Sequence, residues 1–253
     1  MASPKSGKVA AHSEDGAMER RAFVKLCTGM AAVLAANPAR LLAQSAEAKS
    51  YQRVKLVDSS GKAVSVKTLE KQVSYVFQYP YKGTPSVLLN LGSPLAGGAE
   101  LKTAQGEAYH WAGGVGPGKS VVAYVSICTH QLAYPTKSQS FINFQKGKSE
   151  FAGKPDLITC CLHNSAFDPA EGGKVVMGPA PQPLPTVVLD YDAKEDALYA
   201  TGVLGAGEVF EDFFRAFKSD LREQFGRGVA NEEQSGSATV LPLKEYTGQQ
   251  VFC

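Results

Sequence analysis

The sequence predicts an all-β fold, an antiparallel sandwich, with an amphipathic helix near the C-terminus. Two observations carry this. Short apolar runs recur between Gly, Pro, Asn and Asp turns over residues 51–204, the pattern of stacked short strands. Past residue 208 the period changes, and Phe210, Phe213, Phe214, Phe217, Leu221 and Phe225 recur at helical spacing. A chain of 253 residues with 44% hydrophobic content supports one sizeable domain with appendages. The formal net charge of +2 gives no basic field for nucleic acid.

In chain order, residues 1–48 read as a leader. Residues 1–17 are small and polar, and Met18 is an alternative start. Arg20-Arg21-Ala22-Phe23-Val24-Lys25 then precedes a mild apolar run, residues 26–36, which resembles a twin-arginine export signal. A short core helix with a basic start is the competing reading. The run is too short for a membrane span, which needs ~20 residues. Cleavage after Ala43 or Ala48 and retention as an anchor both remain open. Export implies the periplasm, and the shortness of the apolar run predicts no transmembrane span.

Residues 49–207 form the expected β domain. Val54 and Leu56 alternate with Arg53 and Lys55, and Val73, Tyr75 and Phe77 alternate with Ser74 and Val76. Residues 86–89, 121–125, 174–177, 186–189 and 197–200 read as further strands. Residues 99–112 look like a hairpin, and its His110 is a surface residue or a further metal ligand. Residues 137–154 read as a polar surface loop. Residues 208–253 hold the helix, about five turns long, and then a tail from 229 with few signals. The Phe face packs on the chain's own sandwich or on a partner. Cys253 reads as a free thiol.

The chemistry lies between Cys128 and Phe167. Cys128-Thr129-His130 opens this stretch, and Cys160-Cys161-Leu162-His163 closes it. Each end offers one thiolate and one imidazole. Two Cys and two His are the ligand set of a Rieske 2Fe-2S centre. Cys128 and Cys160 would hold the inner iron, His130 and His163 the outer one. Ser165 is placed to donate a hydrogen bond to a cluster sulfur. Residues 178–185, Gly-Pro-Ala-Pro-Gln-Pro-Leu-Pro, are stiff and non-helical, a third wall for the site. Structural zinc is the competing reading, although zinc pairs usually come as Cys-x(2–4)-Cys and His-x(3–5)-His.

Here the chain resembles the Rieske family and, within it, the arsenite oxidase small subunits. The resemblance spans about residues 73–203. It includes Leu91-Gly92-Ser93-Pro94-Leu95, Gly114-Val115-Gly116-Pro117, the two ligand motifs and Leu189-Asp190-Tyr191-Asp192. It implies a small cluster-binding subdomain, about residues 124–185, on the sandwich. The chain departs from the common Rieske pattern at three positions. Ala133 and Leu162 stand where many members carry a bridging Cys pair, so that disulfide cannot form. The conceivable partners of Cys161 are Cys27 and Cys253, both distant in sequence. Phe167 stands where high-potential members carry Tyr. Losing that donor lowers the potential.

The resulting expectation is a periplasmic one-electron carrier, not catalytic alone, since no nucleophile–base pair is evident. Resemblance implies a molybdopterin large subunit as electron donor, and a cytochrome c or cupredoxin as acceptor. A Rieske subunit of a quinol-oxidising cytochrome bc complex and a structural zinc module are the alternatives.

Overall fold

The computed structural model describes residues 48–95 and 97–253. The export motif and Met18 lie outside these residues. In chain order the strands are β1 (Lys49–Val57), β2 (Tyr75–Gln78), β3 (Pro85–Asn90), β4 (Ala99–Lys102), β5 (Ala108–Trp111) and β6 (Val121–Val125). They continue with β7 (Gln139–Ser140), β8 (Ile142–Gln145), β9 (Leu157–Cys160), β10 (Ser165–Asp168), β11 (Lys174–Met177), β12 (Thr186–Asp192) and β13 (Ala197–Leu204). The C-terminal part adds α1 (Val209–Ala216), α2 (Lys218–Phe225), β14 (Ser237–Thr239), β15 (Leu241–Pro242), α3 (Leu243–Tyr246) and β16 (Gln249–Gln250).

The larger sheet runs β14-β1-β13-β12-β6-β3-β2-β15. Val54 lies opposite Ala200 and Leu88 opposite Ala123, so the alternating apolar residues stack on one face. The buried cluster there includes Leu56, Phe77, Tyr79, Leu88 and Leu198. Each such side chain contributes ~1.5–3 kcal/mol on full burial.

Residues 229–253 are not a loose tail. β14 pairs in parallel with β1, β15 pairs antiparallel with β2, and Val240 alone separates them. One short segment thus ties the two ends of the sheet together and closes it into a barrel, which removes open edges. The strands are too short, and in β15 too interrupted by Pro242, to show an alternating pattern in the sequence.

The expected single helix is two, α1 and α2, meeting at Phe217, whose φ and ψ of −107° and 22° leave the helical region. Phe210, Phe213 and Leu221 are buried in the barrel core, so this face packs on the chain's own sheet.

The second sheet, β11-β10-β9-β8, is antiparallel and carries the ligand stretch. Its β8, with Ile142 and Phe144 buried, lies inside the segment expected to be a surface loop. Polar residues on both sides mask that two-residue alternation. The hairpin β4–β5 forms as expected, and its Leu101, Tyr109 and Trp111 pack in the same core as Cys128, Cys160 and Phe167.

Candidate metal centre

Two loops and a proline-rich wall meet at one end of the small sheet. The first loop leaves β6 and turns back at once. The Cys128 N–H donates to the Ala133 carbonyl at 2.8 Å, and the Leu132 N–H to the Cys128 carbonyl at 2.8 Å. Leu132 takes φ +60° to allow this, a region that favours glycine. The second loop joins β9 to β10, with Asn164 at φ +53°. Ser165 lies directly opposite Cys160 in the ladder, and so does Ile142.

Cys128 and Cys160 are both fully buried free thiols. They are close enough to hydrogen-bond each other, and this contact is the main influence on both. Cys128 is held down to about 7, by the Cys160 hydrogen bond first and then by the backbone N–H groups of His130 and Gln131. Cys160 is pushed up, by its bond to Cys128 and by burial, although the N–H groups of Leu162 and His163 oppose the shift. The two halves are therefore alike: each sulfur faces the N–H groups two and three residues further on. Sequence reasoning missed these donors, because backbone groups carry no residue signature.

The His130 and His163 rings stand edge to face, centroids 5.0 Å apart and planes at 87°. The Nδ1 atom of each is buried and has no hydrogen-bond partner. Ser165 Oγ is buried beside them and lacks a partner of full geometry, yet it lies near enough to Cys128 to help lower that thiol. Phe167, two residues along β10, faces the same core and is completely buried. Buried polar atoms are rarely left without partners, so three in one place mark a site built for something else.

The proline-rich wall is tied to the first loop. Thr129 Oγ1 donates to the Gln182 carbonyl at 2.7 Å. The Gln182 side chain accepts from the Ala104 N–H at 2.8 Å and donates to the Gly205 carbonyl at 3.1 Å. At the wall's start Gly178, φ +94°, lies so close to the second loop that a Cβ would sit 2.1 Å from the Asn164 carbonyl oxygen. Neither Gln182 nor Gly178 stood out in the sequence beyond its place in a Pro-rich run.

Cys253 is not a free thiol: it is disulfide-bonded to Cys161, 92 residues away in sequence, with a Cα–Cα distance of 5.7 Å. The bond joins the residue after Cys160 to the end of the described chain. His110, in contrast, lies on the exposed face of the hairpin, paired with Glu100 at 2.6 Å, and is no part of the centre.

Residues 99–188 match the family described as the Rieske [2Fe-2S] domain. The iodate reductase subunit IdrB of Denitromonas iodatirespirans is 32% identical over 198 residues, which is 76% of this chain and 84% of that protein. The protein of the same name from Pseudomonas sp. (strain SCT) is 32% identical over 129 residues, 51% of this chain and 52% of that one. The soluble domain of Rieske protein II (soxF) from Sulfolobus acidocaldarius is similar at 26% identity and a TM-score of 0.44, over 62% of this chain and 82% of that one.

The group such a family implies is a Rieske 2Fe-2S cluster, which takes two thiolates and two imidazole nitrogens. Two free buried thiols and two unpartnered Nδ1 atoms fit that donor set. The chain belongs to the Rieske [2Fe-2S] proteins, in the family that includes the iodate reductase subunit IdrB.

Proposed function

We propose that this chain is the electron-transfer subunit of a periplasmic molybdopterin oxidoreductase, with Cys128, His130, Cys160 and His163 as the four cluster ligands. The observation that carries the ligand assignment is the pair of buried, unpartnered Nδ1 atoms on His130 and His163 beside the two free thiols. When bound, the cluster supplies the exchange of one electron at a time. Everything else is the work of this chain's residues. The N–H groups of His130, Gln131, Leu162 and His163 face sulfur and offset its negative charge. The Ser165 hydroxyl, near enough to Cys128 to lower that thiol, would donate a further hydrogen bond to a cluster sulfur. The buried wall of Phe167, Leu184 and Trp111 keeps water from that side.

The arsenite oxidase resemblance supports a molybdopterin large subunit as donor and a cytochrome c or cupredoxin as acceptor. The relatives named as subunits of an iodate reductase support a second direction, in which the same chain feeds electrons to its large subunit. Purified complex, offered arsenite with oxidised cytochrome c and iodate with reduced cytochrome c in turn, distinguishes the two. Turnover in neither assay removes both substrates.

The periplasmic location rests on Arg20-Arg21 and the mild apolar run behind them. No helix of the described residues is long and apolar enough to cross a membrane. Arg20→Lys with Arg21→Lys is expected to leave the protein in the cytoplasm. Normal periplasmic yield of that variant contradicts the assignment.

A further inference from the structure

Four segments that build the ligand-loop end carry no charged side chains, and the charges that line the cavity beside His130 are Glu208, Asp212 and Arg215, in and just before α1. Residues 128–136, 157–167, 175–185 and 247–253 include no Asp, Glu, Lys or Arg, in a chain where these make up 20%. The four segments are neighbours. Thr129 bonds to Gln182, Met177 pairs with Ala166, and Cys161 is bridged to Cys253.

The large hydrophobic side chains that are exposed among the described residues are Leu162 at 46%, Met177 at 44% and Phe252 at 54%. All three belong to this end. Leu162 and Phe252 flank the disulfide, one on each strand of the bridge, so their Cα atoms are at most about 13 Å apart. Phe252 is held in place rather than loose. Its neighbour Val251 donates to the Ser140 carbonyl at 2.9 Å and accepts from Asn143 Nδ2 at 2.7 Å.

We infer that Leu162, Met177 and Phe252 form the docking surface for the large subunit, with the Cys161–Cys253 disulfide as its scaffold. This rests on the reading of the chain as a subunit given above. Large apolar side chains left exposed at one end of a molecule mark a binding site, and interface cores are poor in charge and rich in Phe and Met. A carrier that arrives and leaves at each turnover is steered by charge, which the segments bearing Leu162, Met177 and Phe252 do not offer. A permanent partner buries apolar surface instead. The same contact brings the partner to the two His residues, the most exposed of the four ligands.

The test is binding of the isolated large subunit to this protein carrying its cluster. The double variant Phe252→Ser/Met177→Ser is compared with wild type and with Arg53→Ala, which is on the barrel surface. Expected are a wild-type spin-resonance spectrum and potential in all three, and a dissociation constant at least tenfold higher for the double variant alone. Cys253→Ser is expected to weaken binding in the same direction, while Phe252→Leu keeps it. Equal binding by wild type and double variant overturns the inference and leaves the subunit reading intact. Absence of binding by wild type overturns both. Normal binding with slowed exchange to cytochrome c assigns the patch to the acceptor instead. A wild-type dimer that the double variant converts to monomer assigns it to a second copy. Either result overturns the inference.

Discussion

The barrel and the ligand-loop end are made from strands of similar length, but they treat polar groups differently. In the barrel, Gln78 Oε1, Thr84 Oγ1 and Thr186 Oγ1 lack partners, but ladder and side-chain hydrogen bonds satisfy most buried polar groups. Asn90, for example, accepts from Ser120 Oγ at 2.9 Å and donates to the Leu69 carbonyl at 3.1 Å. At the other end, His130 Nδ1, His163 Nδ1 and Ser165 Oγ are buried side by side without partners. A site that must receive a metal cluster keeps its donors free and holds them from behind. Here the holding is done by backbone N–H groups, Gly178, Gln182 and a disulfide rather than by further ionisable side chains.

Breaking a donor should therefore abolish the centre and spare the barrel. Cys160→Ser is expected to remove the 2Fe-2S absorption altogether, while far-ultraviolet circular dichroism keeps its β signature. Retention of the wild-type optical spectrum in this variant excludes Cys160 as a ligand.

Breaking the support behind the donors should cost less. Cys253→Ser opens a bridge spanning 92 residues, and closing a loop of that size stabilises by about 4–5 kcal/mol in the chain-entropy account. The thermal midpoint is expected to fall by several degrees, and a reductant should lower the wild-type midpoint to the same value. A midpoint indifferent to both changes means that the bridge does not hold the second loop. Gly178→Ala forces a Cβ onto the Asn164 carbonyl at a positive φ. It is expected to destabilise by roughly 1–3 kcal/mol and to speed cluster loss to a chelator. A loss rate equal to that of wild type would show that the wall can move freely.

The smallest effects tune the potential. Reduction adds negative charge, so a donated hydrogen bond raises the potential and its removal lowers it. Hydrogen bonds to charged groups are worth roughly 1.5–3 kcal/mol, on the order of 60–130 mV for one electron before relaxation. Ser165→Ala is expected to lower the potential within that scale. Phe167→Tyr should raise it, since residue 167 lies on the same face of β10 as Ser165. Protein-film voltammetry reads both. Two unmoved potentials with intact clusters would remove these residues from the tuning.

The same contrast explains what could be read from the sequence. Strands such as β3, β6 and β12 are apolar runs bounded by turns, and the ligand pairs are rare residues at fixed spacing, so both were legible. The disulfide was not. Cys161 and Cys253 meet only because β16 runs alongside β7, a tertiary fact with no local signal. The break at Phe217 carries no Pro or Gly. Residues 237–242 are strands because two edges of a sheet need closing, which their own composition does not announce. Leu132 shows the reverse case. A glycine at this place would signal a left-handed turn, and the leucine here keeps the turn while hiding the signal.

The central claim is that His130 and His163 bind the cluster through the ring nitrogens now left without partners. Electron–nuclear double resonance on the reduced protein, prepared with ¹⁵N-histidine, tests it directly. Two coupled histidine nitrogens are predicted, and one should disappear in His163→Cys with a shift towards an all-cysteine spectrum. A reduced cluster with no histidine coupling, or couplings unchanged in His163→Cys, would contradict it.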